Sequence, residues 1–326
     1  MARKLRIEYE GALYHVINRG NYRADIFASD GAREAFEECL WEACEKTGWR
    51  VHAYVIMRNH YHVALETPNG DLVAGMKWLQ ATFANRFNRF RKELGHVFQG
   101  RYQAIVLEDA YALGSVCHYI HLNPVRAKIV SPAQLEEFRW SSFHWINQAL
   151  KRPPALSFET ALDDAGGLDD SPEGRTRYLA YLDWLATDTA EQKARNFEKM
   201  SRGWAHGTKG FKIALIKDRK EVHIVGAAAE ADSAEARELT WEGIVVRCLE
   251  VMGEAKTDLT GAKKATPWKV ALANHLKLTT TASNPWIARR LHMGDPDGVS
   301  RYCAECRAGK RPEASALQAK IADIRV

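Results

Sequence analysis

Asn59-His60-Tyr61-His62-Val63-Ala64-Leu65 follows an apolar run, Val51 to Met57, across a short Arg58-Asn59 break, and this pairing predicts a β-hairpin. Side chains alternate along a strand, so His60 and His62 leave from one face and Tyr61 from the other. Two imidazoles about 7 Å apart on one rigid face suit a single divalent metal, although such pairs also line ordinary sheet surfaces. A third ligand has to come from another element. Further on stands Val116-Cys117-His118-Tyr119-Ile120-His121-Leu122-Asn123-Pro124-Val125-Arg126-Ala127. Tyr119 and Asn123 are four apart, which on a helix puts a phenol and an amide on one face, one turn apart. With that face laid over the hairpin, the amide oxygen of Asn123 joins the two imidazoles on the metal. The phenol of Tyr119 then sits beside whatever the metal polarises, where it is a competent nucleophile toward phosphorus. Pro124 pushes its predecessor out of the α region, so the helix is expected to end at Asn123.

Four stretches in this order resemble the HUH single-strand nucleases, specifically the single-tyrosine IS200-like transposases and their REP-associated relatives. They are Tyr14-His15-Val16-Ile17-Asn18-Arg19-Gly20-Asn21, His60-Tyr61-His62, Phe98-Gln99-Gly100-Arg101-Tyr102 and Tyr119 to Ala127. The resemblance implies an α+β fold, a ferredoxin-like antiparallel-sheet palm. It also implies a nick in single-stranded DNA near hairpin (REP-like) sequences, a covalent 5′-phosphotyrosine link, and rejoining to a second 3′-hydroxyl. The cofactor would be Mg²⁺ or Mn²⁺, held by His60, His62 and Asn123, with Tyr119 catalytic and no nucleotide cofactor. DNA contacts are expected from His15, Arg19 and Asn21, from Arg101, and from Arg126. Two other readings stay open at this point: a domesticated DNA-binding regulator without strand transfer, and a metal phosphodiesterase without a covalent intermediate.

The rest of the composition permits this and excludes other classes. The chain has 326 residues, 46% hydrophobic and 27% charged, with a net charge of +5 and six cysteines. That is enough for two or three domains with ordinary soluble composition. The cysteines are too sparse for a disulfide framework, no apolar run is long enough to span a membrane, and nothing resembles a signal peptide. A cytoplasmic, nucleoid-associated protein is expected, either monomer or homodimer.

In chain order, Ala12 to Asn18 is predicted as a first strand and Gly31 to Lys46 as a helix. Leu72, Met76, Leu79, Phe83, Phe87, Phe90 and Leu94 step by four and three, predicting a long amphipathic helix closed by Gly95. Its other face, including Arg86 and Arg89, reads as a solvated basic surface or one that tracks phosphates. Tyr102 to Glu108 is a further strand, and Asp109 a cap for the helix bearing Tyr119. The sum is an antiparallel sheet with helices on one side. His118 and His121 are expected at the surface or as minor DNA contacts. Arg139-Trp140-Ser141-Ser142-Phe143, also similar to the REP-associated branch, would close the palm.

Three segments follow: 1–150, the nuclease domain; 151–238, a helical connector with no assignable chemistry; and 239–326, a mainly helical module. In the module, Asn284-Pro285 opens a short helix, Met293-Gly294-Asp295 turns, and Asp297 to Arg307 forms another helix. That pattern resembles a helix-turn-helix, in which Arg301 would meet duplex DNA, or a bundle used for packing. Cys303 and Cys306 have metal-type spacing without a second pair, so they are read as helix packing.

Overall fold

A computed structural model of the chain describes residues 7–217, 234–254 and 259–324. Two compact units divide the described residues, one running to Phe211 and the other beginning at Lys212.

The first unit is built on β1 (Ala12–Arg19), α1 (Asp30–Thr47), β2 (Arg50–Ile56), β3 (His60–Thr67), α2 (Leu72–Arg91), β4 (Gln103–Leu107) and α3 (Ala110–His121). The sheet order is β2-β3-β1-β4, antiparallel throughout, which is the ferredoxin-like arrangement. A two-residue strand, β5 (Ala205–His206), adds to β4 in parallel, so the sheet as a whole is mixed. Caps fix the helix ends: Ser29 accepts from Ala32 and Gly48 closes α1 in the left-handed region. As expected, Asp109 accepts from the Ala112 amide at the start of α3.

Helices cover both faces of the sheet rather than one. Tyr61 points into an aromatic cluster with Phe36 of α1 (ring centres 4.5 Å apart), Phe27 and Phe98, and its hydroxyl accepts from Gln80 of α2. His62, on the opposite side of the same strand, faces Tyr119 of α3 with ring centres 5.7 Å apart. The two-residue period that separates Tyr61 from the histidines therefore assigns α1 and α2 to one layer and α3 to the other. On the α1–α2 side, Gly75 lets α2 lie against the Trp49 ring, since a Cβ there would collide with the indole.

The seam of α2 is shorter than its periodicity. Leu72, Met76, Leu79 and Phe83 are buried, but Phe90 and Leu94 stand fully in solvent. The helix ends at Lys92, itself in the left-handed region (φ 54°), not at Gly95. Pattern alone cannot tell where a sheet stops offering cover.

After α3 the chain breaks at Leu122 and restarts as α4 (Asn123–Arg126) with Pro124 in its first turn. The Arg139–Phe143 segment packs on β2. Ser141 bridges Val55, Ser142 Oγ accepts from the Tyr54 amide, and the Arg139 guanidinium is held by both Glu37 oxygens at 3.0 and 2.7 Å. Residues 151–211 then fold onto the same unit through α5 (Glu159–Asp164), α6 (Pro172–Thr187), α7 (Thr189–Ala194) and β5, and α8 (Lys209–Lys217) follows.

The second unit holds α9 (Ala234–Met252), α10 (Pro267–Thr279), α11 (Asn284–Arg290), α12 (Pro296–Arg307) and α13 (Pro312–Ile321). Its core joins Ile244, Val245, Cys248 and Leu249 of α9 to α10, α11 and α12, and α13 was not anticipated. Ser283, not Asn284, caps α11. Cys303 and Cys306 are both buried in this core. Of the expected connector, residues 218–233 lie outside the described residues. Among the described residues no helix is long and apolar enough to cross a membrane.

Candidate active site

The sheet register brings the site together. Along β1 and β3, Ile17 lies opposite His62 and Arg19 opposite His60, which makes His15 the diagonal same-face neighbour of His62. The contact is direct: His15 Nε2 and His62 Nδ1 are 2.9 Å apart. The His60 and His62 rings stand 5.1 Å apart, and His15 lies 6.0 Å from the Tyr119 ring. Two strands and one helix thus converge on three imidazoles and a phenol.

Ring-nitrogen roles follow from the partners. His15 Nδ1 faces the Met200 carbonyl at 3.0 Å, and a carbonyl only accepts, so that nitrogen carries the proton. Burial pushes the His15 imidazole down to about 3, so the ring is neutral and its Nε2 holds a lone pair. His62 Nδ1 must then donate to it, which leaves the lone pair of His62 on Nε2. Burial, with His15 and His60 nearby, likewise holds His62 well below the usual imidazole range. His60 Nδ1 lies 2.7 Å from Asn59 Oδ1, whose amide nitrogen donates to the Arg23 carbonyl. That fixes His60 as an Nδ1 donor with its lone pair on Nε2, and burial and then Arg19 lower its pKa also. Both histidines of the hairpin are neutral and present the same nitrogen, which is the state a divalent cation requires.

Tyr119 is nearly buried, and its hydroxyl is 2.9 Å from Ser201 Oγ. Phe197 meets the phenol ring edge-on, and the Arg126 guanidinium lies 5.1 Å from the Tyr119 ring centre and 5.6 Å from that of Phe197. Asn123 is buried on the short helix that follows the Leu122 break. Among the described residues, no three His, Cys, Asp or Glu side chains converge to hold a metal. The donor set at this place is therefore two imidazoles plus whatever oxygen joins them.

Several expected contacts fall elsewhere. His15 is completely buried and bonded to His62, so it does not face DNA. Arg86 is taken up by Glu42 of α1 at 2.7 and 3.0 Å instead of lying free along the helix. His118 and His121 are fully buried, joined through the Tyr178 hydroxyl at 2.9 Å each, with Asp164 and Ser142 on their far nitrogens. They are core residues because α5 and α6 cover the side of α3 that the sequence left open. Arg19, Arg89, Arg101, Arg126 and Arg301 are exposed, and Asn21 is half-buried at the end of β1. Arg19 donates to Gln99.

Met200, Ser201, Phe197 and His206, whose Nε2 also donates to the Met200 carbonyl, were not singled out by sequence. A backbone carbonyl and a single serine in an irregular segment carry no pattern to find.

Residues 8–123 match the family model described as Transposase IS200 like. Over that segment the chain is similar to this transposase family. A solved REP-associated tyrosine transposase bound to a REP hairpin is similar at 18% identity, with 48% of this chain and 90% of that chain covered and a TM-score of 0.39. A Deinococcus radiodurans R1 protein to which a transposase role is ascribed is similar at 19% identity, covering 39% and 92% of the two chains, with a TM-score of 0.27. No curated protein matches the chain.

Proposed function

We propose that this protein is a metal-dependent endonuclease and strand transferase for single-stranded DNA that acts near hairpin sequences through a covalent phosphotyrosine. The observation that carries the reading is the convergence of the Tyr119 phenol on the His60–His62 pair, with ring centres 5.7 Å apart at His62. Nε2 of His60, Nε2 of His62 and the amide oxygen of Asn123 would hold Mg²⁺ or Mn²⁺. When bound, such an ion supplies a positive charge against the non-bridging oxygens of a phosphodiester.

The chain's own groups supply the remainder. Tyr119 Oη forms the new bond to phosphorus, the bond to the 3′-oxygen breaks, and that oxygen departs with its electron pair and takes up a proton. The phenolic proton leaves to solvent as the new bond forms, and Ser201 Oγ, hydrogen-bonded to the phenol at 2.9 Å, orients the attacking oxygen. Arg126, stacked on the ring, adds positive charge where negative charge develops. Attack by a second 3′-hydroxyl reverses these bonds, so no nucleotide is consumed. Arg19, Asn21, Arg89 and Arg101 are proposed DNA contacts. Arg301, two-thirds exposed on α12, is proposed to help dock the second unit on duplex DNA.

The test is incubation of a labelled single-stranded hairpin oligonucleotide with the protein and Mn²⁺, followed by a denaturing gel. Wild type gives a protein–DNA adduct that chelator prevents, and Tyr119→Phe gives none while still retarding the hairpin on a native gel. An undiminished adduct in Tyr119→Phe moves the nucleophile elsewhere. Cleaved product without adduct indicates hydrolysis instead.

A further inference from the structure

The segment from Phe197 to His206 lies in the connector to which the sequence assigned no chemistry, yet two consecutive residues in it touch both halves of the site. The Met200 carbonyl accepts from His15 Nδ1 at 3.0 Å and from His206 Nε2 at 3.0 Å. Ser201 Oγ meets the Tyr119 hydroxyl. β5, at the end of the same segment, pins it to the sheet edge through Val106 and Leu107.

We infer that His15 is a positioning residue that transmits a fixed tautomer from the Met200 carbonyl to His62, so that this segment presets the Nε2 lone pair of His62 for a metal. This inference rests on the proposed metal role of His62. The argument is one of proton direction alone. The carbonyl orders the proton onto His15 Nδ1. His15 Nε2 is thereby an acceptor, and it orders the proton of His62 onto Nδ1. No second arrangement of protons on the two neutral rings satisfies both bonds. An imidazole free to carry its proton on either nitrogen has to surrender the wrong tautomer before binding, and its ring can rotate. Here both degrees of freedom are removed by one bond, made in a site with no exposure at His15. An outer partner of this kind orients a ligand imidazole and raises its basicity. The unusual feature is that the outer partner is a second histidine, and that the chain of bonds ends on a main-chain carbonyl some eighty residues beyond the nucleophile. A main-chain anchor cannot be lost by side-chain substitution at that position.

The experiment uses the full chain labelled with ¹⁵N-histidine and stripped of metal, read by long-range ¹H–¹⁵N correlation. His62 is expected to show its proton on Nδ1 and an unprotonated Nε2, and His15 the same pattern. A protonated Nε2 on His62 overturns the inference without any variant being made. In His15→Leu, His62 should lose the single tautomer, and Mn²⁺ affinity measured by titration calorimetry should fall by about 10- to 100-fold. In His15→Gln the side-chain oxygen can accept from His62 Nδ1, so most of that affinity should return. Unchanged tautomer and affinity in His15→Leu would refute the relay. Failure of the proposed function is separable: the relay would be seen by NMR in a protein that neither binds Mn²⁺ nor forms an adduct.

Discussion

Acid should loosen the first unit well before its carboxylates protonate. Burial holds His15 and His121 down to about 3 and His52 down to about 4, against an ordinary value of 6.5. The sign follows from proton counting. Below 6.5 the unfolded chain binds a proton at each of these positions, whereas the folded chain does not until pH 3 to 4. Folded stability is therefore complete above about pH 6.5 and declines as pH falls through the interval beneath it. Each group costs about 1.4 kcal/mol per pH unit in that interval. Moving from about pH 7.5 to about pH 5.5 spans one effective unit for each, so the three together remove about 4 kcal/mol. His62 and His118 are lowered too, and act in the same direction. A domain of ordinary stability, about 5–15 kcal/mol, loses a large share of it. Asp164 and Asp170 are held below the usual carboxylate range. Burial opposes the lowering at each, and it is outweighed by His118 and Arg195 at Asp164 and by Arg152 and Arg175 at Asp170. Their contribution disappears only at lower pH, so this window isolates the histidines. Urea unfolding followed by tryptophan fluorescence, in chelator, measures the slope at three pH values across the window. His121→Gln should remove about 1.4 kcal/mol of that loss, one histidine's share, whatever it does to absolute stability. A flat wild-type curve, or a slope that His121→Gln leaves unchanged, would refute the reasoning.

Other outcomes are equally specific. Gly75→Ala should destabilise by about 1–3 kcal/mol, because Trp49 is fully buried and cannot retreat from a new methyl group; a melting curve matching wild type would contradict that packing. Lys92→Gly should stabilise by up to about 1 kcal/mol, since Lys92 holds the left-handed conformation that ends α2. Leu94→Ser, at a fully exposed side chain, should leave stability within about 0.5 kcal/mol of wild type. Ser201→Ala should slow adduct formation while leaving Mn²⁺ affinity unchanged, and equal single-turnover rates would remove Ser201 from the chemistry.

The legible parts of this protein share one property: their signal lies within a few residues. Alternation across His60-Tyr61-His62 assigned faces correctly, because a strand enforces a period of two whatever surrounds it. The helix stripes, the Asp109 cap and the order of strands and helices were visible for the same local reason. Cover was not. Phe90 and Leu94 continue the stripe of α2 into open water, while His118 and His121, polar and apparently outward, lie beneath α5 and α6. Which side of α3 is buried depends on a segment that returns some forty residues later, and no local pattern encodes that return. The bond from Met200 to His15 spans 185 positions and uses a carbonyl that every residue possesses. Sequence alone named the imidazole pair and the phenol, because their chemistry resides in their side chains. Tertiary structure alone decided which nitrogen each imidazole offers, because a ring's proton is placed by its partner.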